Sequence, residues 1–239
     1  MRHKILHHVP LLFSGSSTSK TSLKTITFGV FLLATILLEQ PTHAAIVSVS
    51  GDIMQIEPPE SVVANGTLES NNTIFLFKEM SDITLPTDLT VDAMIPGTYG
   101  PNAHASNFPQ GSISSGTPLD SYFIHSDPVG KPSGVSFSGN VTFDQDILGV
   151  MFTTDSLQAT HVLLGAPGTI YDDSFFNIFT GGDQFTISAN RRVLTLNPRT
   201  ASGADHLRIL TAVPIPSALL LFGTGFVGLA NASIRRKWA

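Results

Sequence analysis

The sequence predicts an all-β protein: a single antiparallel β-sandwich or jelly-roll-like domain between two apolar end segments. Three observations predict it. Apolar residues between 45 and 211 come in short runs rich in β-branched and aromatic side chains. Gly, Pro, Asn and Asp clusters separate those runs at short intervals. No stretch in that region sustains a 3.6-residue apolar period, and no internal repeat points to a solenoid or propeller. Many short strands with frequent turns fit a sandwich or jelly roll.

In chain order, Asn72 to Lys78, Leu89 to Ile95 and Ser121 to His125 are the first predicted strands. Val135 to Phe143 alternates, with Phe137, Val141 and Phe143 on one face and Ser136, Ser138, Asn140 and Thr142 on the other. Gly139 falls on the apolar face, which marks a bulge or a close approach by another segment. Ile147 to Phe152, His161 to Leu164, Phe175 to Phe179, Phe185 to Ala189, Arg192 to Leu196 and Leu207 to Thr211 continue the series. Ser188-Ala189-Asn190-Arg191 predicts a hairpin turn in which Asn190 takes φ > 0. Residues 96–118, rich in Gly, Pro, Ser and Asn, predict a long surface loop, the kind of segment on which binding function sits.

The two ends carry targeting chemistry. Lys20 and Lys24 precede an apolar run from Ile26 to Leu38, and Thr42-His43-Ala44 supplies small residues at a cleavage site. Residues 1–44 are therefore expected to be a signal peptide, cut by signal peptidase after Ala44, with Ala45 the next choice. The stretch before Lys20 is long and polar for such a leader, so translation is expected to start near Leu23. At the other end, residues 212–239 read Val213-Pro214-Ile215-Pro216, an apolar run from Ser217 to Ile234, then Arg235-Arg236-Lys237. A helix of that run rises about 27 Å, close to the roughly 30 Å hydrocarbon core of a bilayer. The basic cluster holds its end in the cytoplasm and leaves the rest of the protein on the far side.

Charge and cysteine usage narrow the function classes for the domain at 45–211. Residues 46–211 hold 6 Lys/Arg against 17 Asp/Glu, a charge of −11, whereas the whole chain carries −5. Such a domain repels nucleic acid and acidic polymers. The chain has no cysteine, which excludes thiol catalysis, Cys-ligated zinc and iron–sulfur chemistry, and leaves the fold without disulfides.

The chemical motifs are sparse. Gly223-Thr224-Gly225-Phe226-Val227-Gly228 spells a dinucleotide fingerprint but lies inside the predicted span with no preceding strand. No nucleophile elbow and no HExxH zinc site occurs. The domain's four histidines, His104, His125, His161 and His206, are spread over a hundred residues, and a secreted hydrolase would have to assemble a Ser-His-Asp set from them. No catalytic residue and no metal ligand is assigned. No cofactor is expected: Asp144, Asp146, Asp172, Asp173 and Asp183 read first as solvated turn residues, and structural Ca²⁺ on their oxygens is the alternative. For a polysaccharide-binding module the lone tryptophan, Trp238, is misplaced, which leaves Tyr99, Tyr122 and Tyr171 as candidate stacking residues, Tyr99 within the long loop.

The order of Val213-Pro214-Ile215-Pro216, the stretch Phe222-Gly223-Thr224-Gly225 and Arg235 to Lys237 resembles the PEP-CTERM sorting signal of Gram-negative bacteria. Ile215 stands where that family most often has Glu. The resemblance covers about a tenth of the chain. It implies that exosortase, a transpeptidase-like membrane enzyme, recognises and removes the tail. The domain is also similar to those of other PEP-CTERM proteins along Val141 to Gly149, Leu164 to Tyr171 and Ser188 to Leu196. What the class implies is an exported, non-enzymatic surface or exopolysaccharide-matrix protein with a structural or adhesive role. Its partners would be signal peptidase and exosortase during export, the inner membrane transiently, and exopolysaccharide. A polysaccharide-binding module and a secreted hydrolase are the alternatives.

Overall fold

Alternation along the chain becomes two five-stranded sheets. A computed structural model describes residues 44–100, 110–130, 134–172, 182–200 and 203–214, all of which fall in the compact unit Pro41–Pro216. The first sheet is built from β1 (Ile46–Gly51), β9 (Gly139–Phe143), β12 (Val193–Asn197), β11 (Gln184–Ile187) and β5 (Gly97–Tyr99), in that order. Every pairing in it is antiparallel. The second runs β10 (Ile147–Met151), β14 (Asp205–Ala212), β7 (Pro118–Ser126), β3 (Ile74–Thr84) and β2 (Ile53–Gln55). It is antiparallel except where β2 lies parallel to β3. Two short ladders complete the described strands: β4 (Leu89–Val91) with β6 (Gly111–Ile113), and β8 (Val135–Ser136) with β13 (Arg199–Thr200).

The two sheets differ in how many faces they bury. In the first sheet Val141, Phe143, Phe185, Ile187, Leu194 and Leu196 are buried while Asn140 and Asn197 are exposed, so one face is wet. Those apolar residues share a core cluster with Ile74, Leu76, Tyr122, Ile124, Leu207 and Ile209 of the second sheet. The sheets thus pack on each other through side chains from alternate positions of both. In the second sheet β7 is buried from Leu119 to Ser126 and β14 from Asp205 to Thr211, so its other face is covered too. There Phe77, Leu119, Phe123 and Leu210 pack against Leu157 and Leu164 of a helix.

That helix, α1 (Thr154–Leu164), corrects the expectation of a strand at His161–Leu164 and of a middle without helix. Its buried stripe is Leu157, Thr160 and Leu164, only two of them apolar, while Val162 is wholly exposed. Apolar residues therefore do not track its buried face, and the periodicity that would reveal a helix is absent. The chain marks it by capping: Thr153 Oγ1 accepts from the Ser156 N–H, and Asp155 sits in the first turn.

Other expectations shift in detail. Residues 96–118 are not one long loop, because Gly97–Tyr99 is an edge strand and Gly111–Ile113 pairs with β4. The β11–β12 hairpin forms as expected, but Arg191 rather than Asn190 has positive φ, at 57°. Asn190 Oδ1 instead accepts from Ser188 Oγ and the Arg192 N–H, while the Arg191 guanidinium reaches the Ile147 and Leu148 carbonyls. Gly139 is a close approach: a Cβ there would lie 2.6 Å from both Ile53 Cγ1 and the Ser50 carbonyl oxygen. The strand predicted at Phe175–Phe179, the signal segment before Ala44 and the span from Ser217 to Ile234 lie outside the described residues. Among the described residues no helix is long and apolar enough to cross a membrane.

Candidate functional site

The covered face of the second sheet carries the densest chemistry in the described chain. Strand alternation sends Phe77 and Glu79 of β3, Ser121, Phe123 and His125 of β7, and His206 and Arg208 of β14 to the same side. Arg208 is fully buried and grips Glu79 with two bonds, Nε to Oε2 at 2.6 Å and Nη2 to Oε1 at 2.7 Å. Glu79 accepts two more, from Ser121 Oγ and from Tyr171 Oη, each at 2.6 Å. Arg208 Nη1 donates to Thr160 Oγ1 at 2.6 Å and to the Leu157 carbonyl at 3.2 Å, both on α1. Its guanidinium carbon lies 5.4 Å from the Phe123 ring centre and 5.7 Å from that of Tyr171.

Three histidines that the sequence spreads apart meet here. His161 stacks on Tyr171 with 4.4 Å between ring centres, and its Nδ1 accepts from Arg208 Nη2 at 3.2 Å. His125 Nε2 donates to the Leu68 carbonyl at 2.9 Å, which leaves its Nδ1 to accept from His206 Nε2 at 2.7 Å. Burial pushes His125 down to about 4, against the opposing pull of the Leu68 carbonyl and the Asp172 charge. Burial also holds His206 well below the ordinary imidazole range, with the charges of His125, His161 and Arg208 adding to it. Burial, and after it the Glu79 carboxylate, holds the Tyr171 phenol far above its usual range.

Two carboxylates pin the segment that covers the histidine pair. Asp172 Oδ2 accepts from the Ala64 N–H at 3.0 Å, and Asp127 Oδ2 accepts from the Asn65 N–H at 2.6 Å. Burial raises the Asp127 carboxyl, and Glu69 and Asp172 reinforce the rise against the Asn65 bond. Glu79, His125, His206 and Arg208 are all buried, so the cluster works as a clamp that ties α1 and residues 61–72 to the second sheet. Sequence reasoning missed Glu79, Arg208 and Asp127. The one available signal is Arg208 itself, a cation inside the alternating run Leu207 to Thr211.

A second polar group sits at the head of the first strand. The Ala44 carbonyl accepts from Tyr122 Oη at 2.6 Å and from Lys78 Nζ at 3.2 Å. Lys78 is also paired with the buried carboxylate of Asp120 at 2.8 Å. The Ala45 N–H donates to Asp144 Oδ1 at 2.8 Å, and the Asp144 N–H returns a bond to the Ala45 carbonyl at 3.1 Å. Val213 and Pro214 are half-buried and follow directly on β14. Ile215, Pro216, Arg235, Arg236 and Lys237 lie outside the described residues, as do His104, Asp173 and Trp238.

The candidate calcium ligands among the described residues do not converge. Asp146 pairs with Arg192, Asp183 accepts from the Arg199 N–H, and Asp144 and Asp172 are engaged as above. Among the described residues no group of three or more His, Asp or Glu side chains is placed to hold a metal ion. Tyr99, read as part of a surface loop, is a core residue that stacks on Phe185 at 4.9 Å and donates to the Ile95 carbonyl. No aromatic side chain is exposed among the described residues. No protein-family model, curated protein or solved structure matches the chain.

Proposed function

We propose that this chain is an exported, non-enzymatic β-sandwich protein, jelly-roll-like in its layout, delivered to the cell surface or the exopolysaccharide matrix by its C-terminal segment. The observation that carries the reading is the order Val213-Pro214-Ile215-Pro216, apolar run, Arg235-Arg236-Lys237. Strand β14 ends at Ala212, the residue before the motif begins, so the motif follows the last of the described strands without an intervening linker. Pro214 and Pro216 disfavour a helix across it. Signal peptidase acts at Ala44–Ala45, the apolar run halts in the inner membrane, and exosortase cuts near Pro214–Pro216. The buried clamp and the core placement of the described aromatics suit a passive matrix component better than a sugar-stacking platform.

Intact mass of the protein recovered from the surface of its native host tests the proposal. The expected mass lacks everything beyond Pro214–Pro216, and with it the only tryptophan, Trp238. A mass that retains Trp238 describes a permanently anchored protein and overturns the sorting mechanism.

A further inference from the structure

We propose that Asp144 is the docking carboxylate for the α-amino group of Ala45, so that removal of the leader completes a charge-balanced node at the head of the first strand. The inference rests on the export reading, with cleavage after Ala44. The nitrogen that cleavage would turn into an ammonium already meets the carboxylate. The Ala45 nitrogen lies 2.8 Å from Asp144 Oδ1, and the return bond from the Asp144 N–H to the Ala45 carbonyl fixes the residue at two points.

Charge counting supplies the second argument. Asp120 and Asp144 both act electrostatically on the buried Tyr122 phenol, raising its pKa beyond the effect of burial. Before cleavage the cation placed at this node is Lys78, bonded to Asp120 and to the Ala44 carbonyl. Hydrolysis adds one water across the Ala44–Ala45 bond. The Ala44 carboxylate leaves with the leader, and the Ala45 amine takes up a proton. The nitrogen that gave Asp144 an uncharged donor then gives it an ammonium, so that both partners of the bond are ionised. Two carboxylates now face two ammonium groups.

The node survives the loss of the Ala44 carbonyl. Lys78 keeps Asp120, and its Nζ stays 5.5 Å from the centre of the buried Tyr122 ring. An amide at Ala45, whether from a retained leader or from acetylation, keeps the bond to Asp144 but brings no positive charge to it.

The test uses the chain from Ala45 to Ala239 in detergent, released from a fusion by a protease that leaves no extra residue. NMR follows the titration of the α-amino group. An α-amino group ordinarily titrates near about 8, and pairing raises it by about one unit or more. Asp144→Asn is expected to return it to about 8, Asp144→Glu to keep part of the rise, and Asp146→Asn to change nothing. An ordinary value in the unmodified chain, indifferent to Asp144→Asn, overturns the docking whatever the export route. The N-terminus of the native exported protein is read in parallel. Ala45 as its first residue supports the proposal, and any other first residue overturns it. Retention of Trp238 bears on the sorting reading alone.

Discussion

Replacing Arg208 with methionine removes the centre of the buried clamp while keeping a flexible apolar side chain of similar length. Arg208 makes two bonds to Glu79 and three to α1, through Leu157, Thr160 and His161. Without them the Glu79 carboxylate stays buried with only Ser121 and Tyr171 as donors. Stranding one member of a buried ion pair costs about 3–5 kcal/mol. Set against a total stability of roughly 5–15 kcal/mol, that loss takes a large share of the fold's margin. For a domain of this size it lowers the melting temperature by roughly 10 °C.

The cost comes from an uncompensated charge rather than from lost volume, so it has a signature that a cavity lacks. Glu79→Gln alone strands the guanidinium and costs a similar amount, roughly 3–5 kcal/mol. Glu79→Gln with Arg208→Met removes both charges, and the double variant is expected to be more stable than the sum of the two losses by about 2 kcal/mol or more. Urea unfolding of the four proteins at pH 7 reads the cycle. Additive losses, or an Arg208→Met variant within about 1 kcal/mol of the parent, would refute the clamp as a source of stability.

Acid is expected to weaken the fold through the histidine pair. His125 is held near 4 when folded and returns to about 6.5 when unfolded, so the unfolded chain binds the proton first as pH falls. Stability therefore drops between about pH 6.5 and 4, by roughly 3 kcal/mol from His125 alone. Asp127, whose carboxyl is raised in the fold, acts in the opposite sense toward the acid end. Unfolding midpoints that stay flat across that window would contradict the burial argument. Asp92→Ala removes the acceptor of the Phe152 and Thr153 N–H groups and of the Ser156 hydroxyl at the start of α1. Denaturant unfolding should show a loss of about 2–3 kcal/mol, with Asp92→Asn losing less. Gly139→Ala drives a methyl against Ile53 and the Ser50 carbonyl, and the overpacking is expected to cost about 1–3 kcal/mol by the same assay.

Most of the strand pattern was legible because the first sheet has one wet face. Phe137, Val141 and Phe143 alternate with polar residues, and all three are buried in the shared core. The second sheet is covered on both faces, so alternation there runs between two buried environments. In β14, Leu207 and Ile209 meet the first sheet while His206 and Arg208 meet the helix side. Sequence shows the run but not that its polar members are inside. Glu79 was hidden for the same reason, since Lys78 and Glu79 read as a solvated pair when their faces are unknown. Lys78 does reach solvent, whereas Glu79 is buried. Helix α1 escaped because Thr160 interrupts its apolar stripe and Val162 points outward. Arg191 took the left-handed position expected of Asn190 because its guanidinium finds backbone acceptors in β10, a tertiary gain that a turn preference does not contain.

The absence of cysteine gives these polar ties a common meaning. A domain without disulfides has to restrain distant parts of its chain by non-covalent contacts alone. The polar bonds found here do span long stretches of sequence. Glu79 holds Arg208, Asp172 holds Ala64, Asp144 holds Ala45 and Lys78 holds Asp120. Two of these four join the first third of the domain to its last, one joins its first residue to its middle third, and the fourth crosses between neighbouring strands. A hydrogen bond that closes a long loop overcomes more chain entropy than a local one, and it does so only when the surrounding core is already in place. Such ties therefore form late and cooperatively with the sheets rather than templating them. This predicts that each clamp variant chiefly accelerates unfolding and leaves refolding nearly unchanged. Stopped-flow measurements on Arg208→Met decide the matter. A refolding rate that falls in proportion to the stability loss would place the clamp in the folding nucleus, and the division of labour between core and clamp would be reversed.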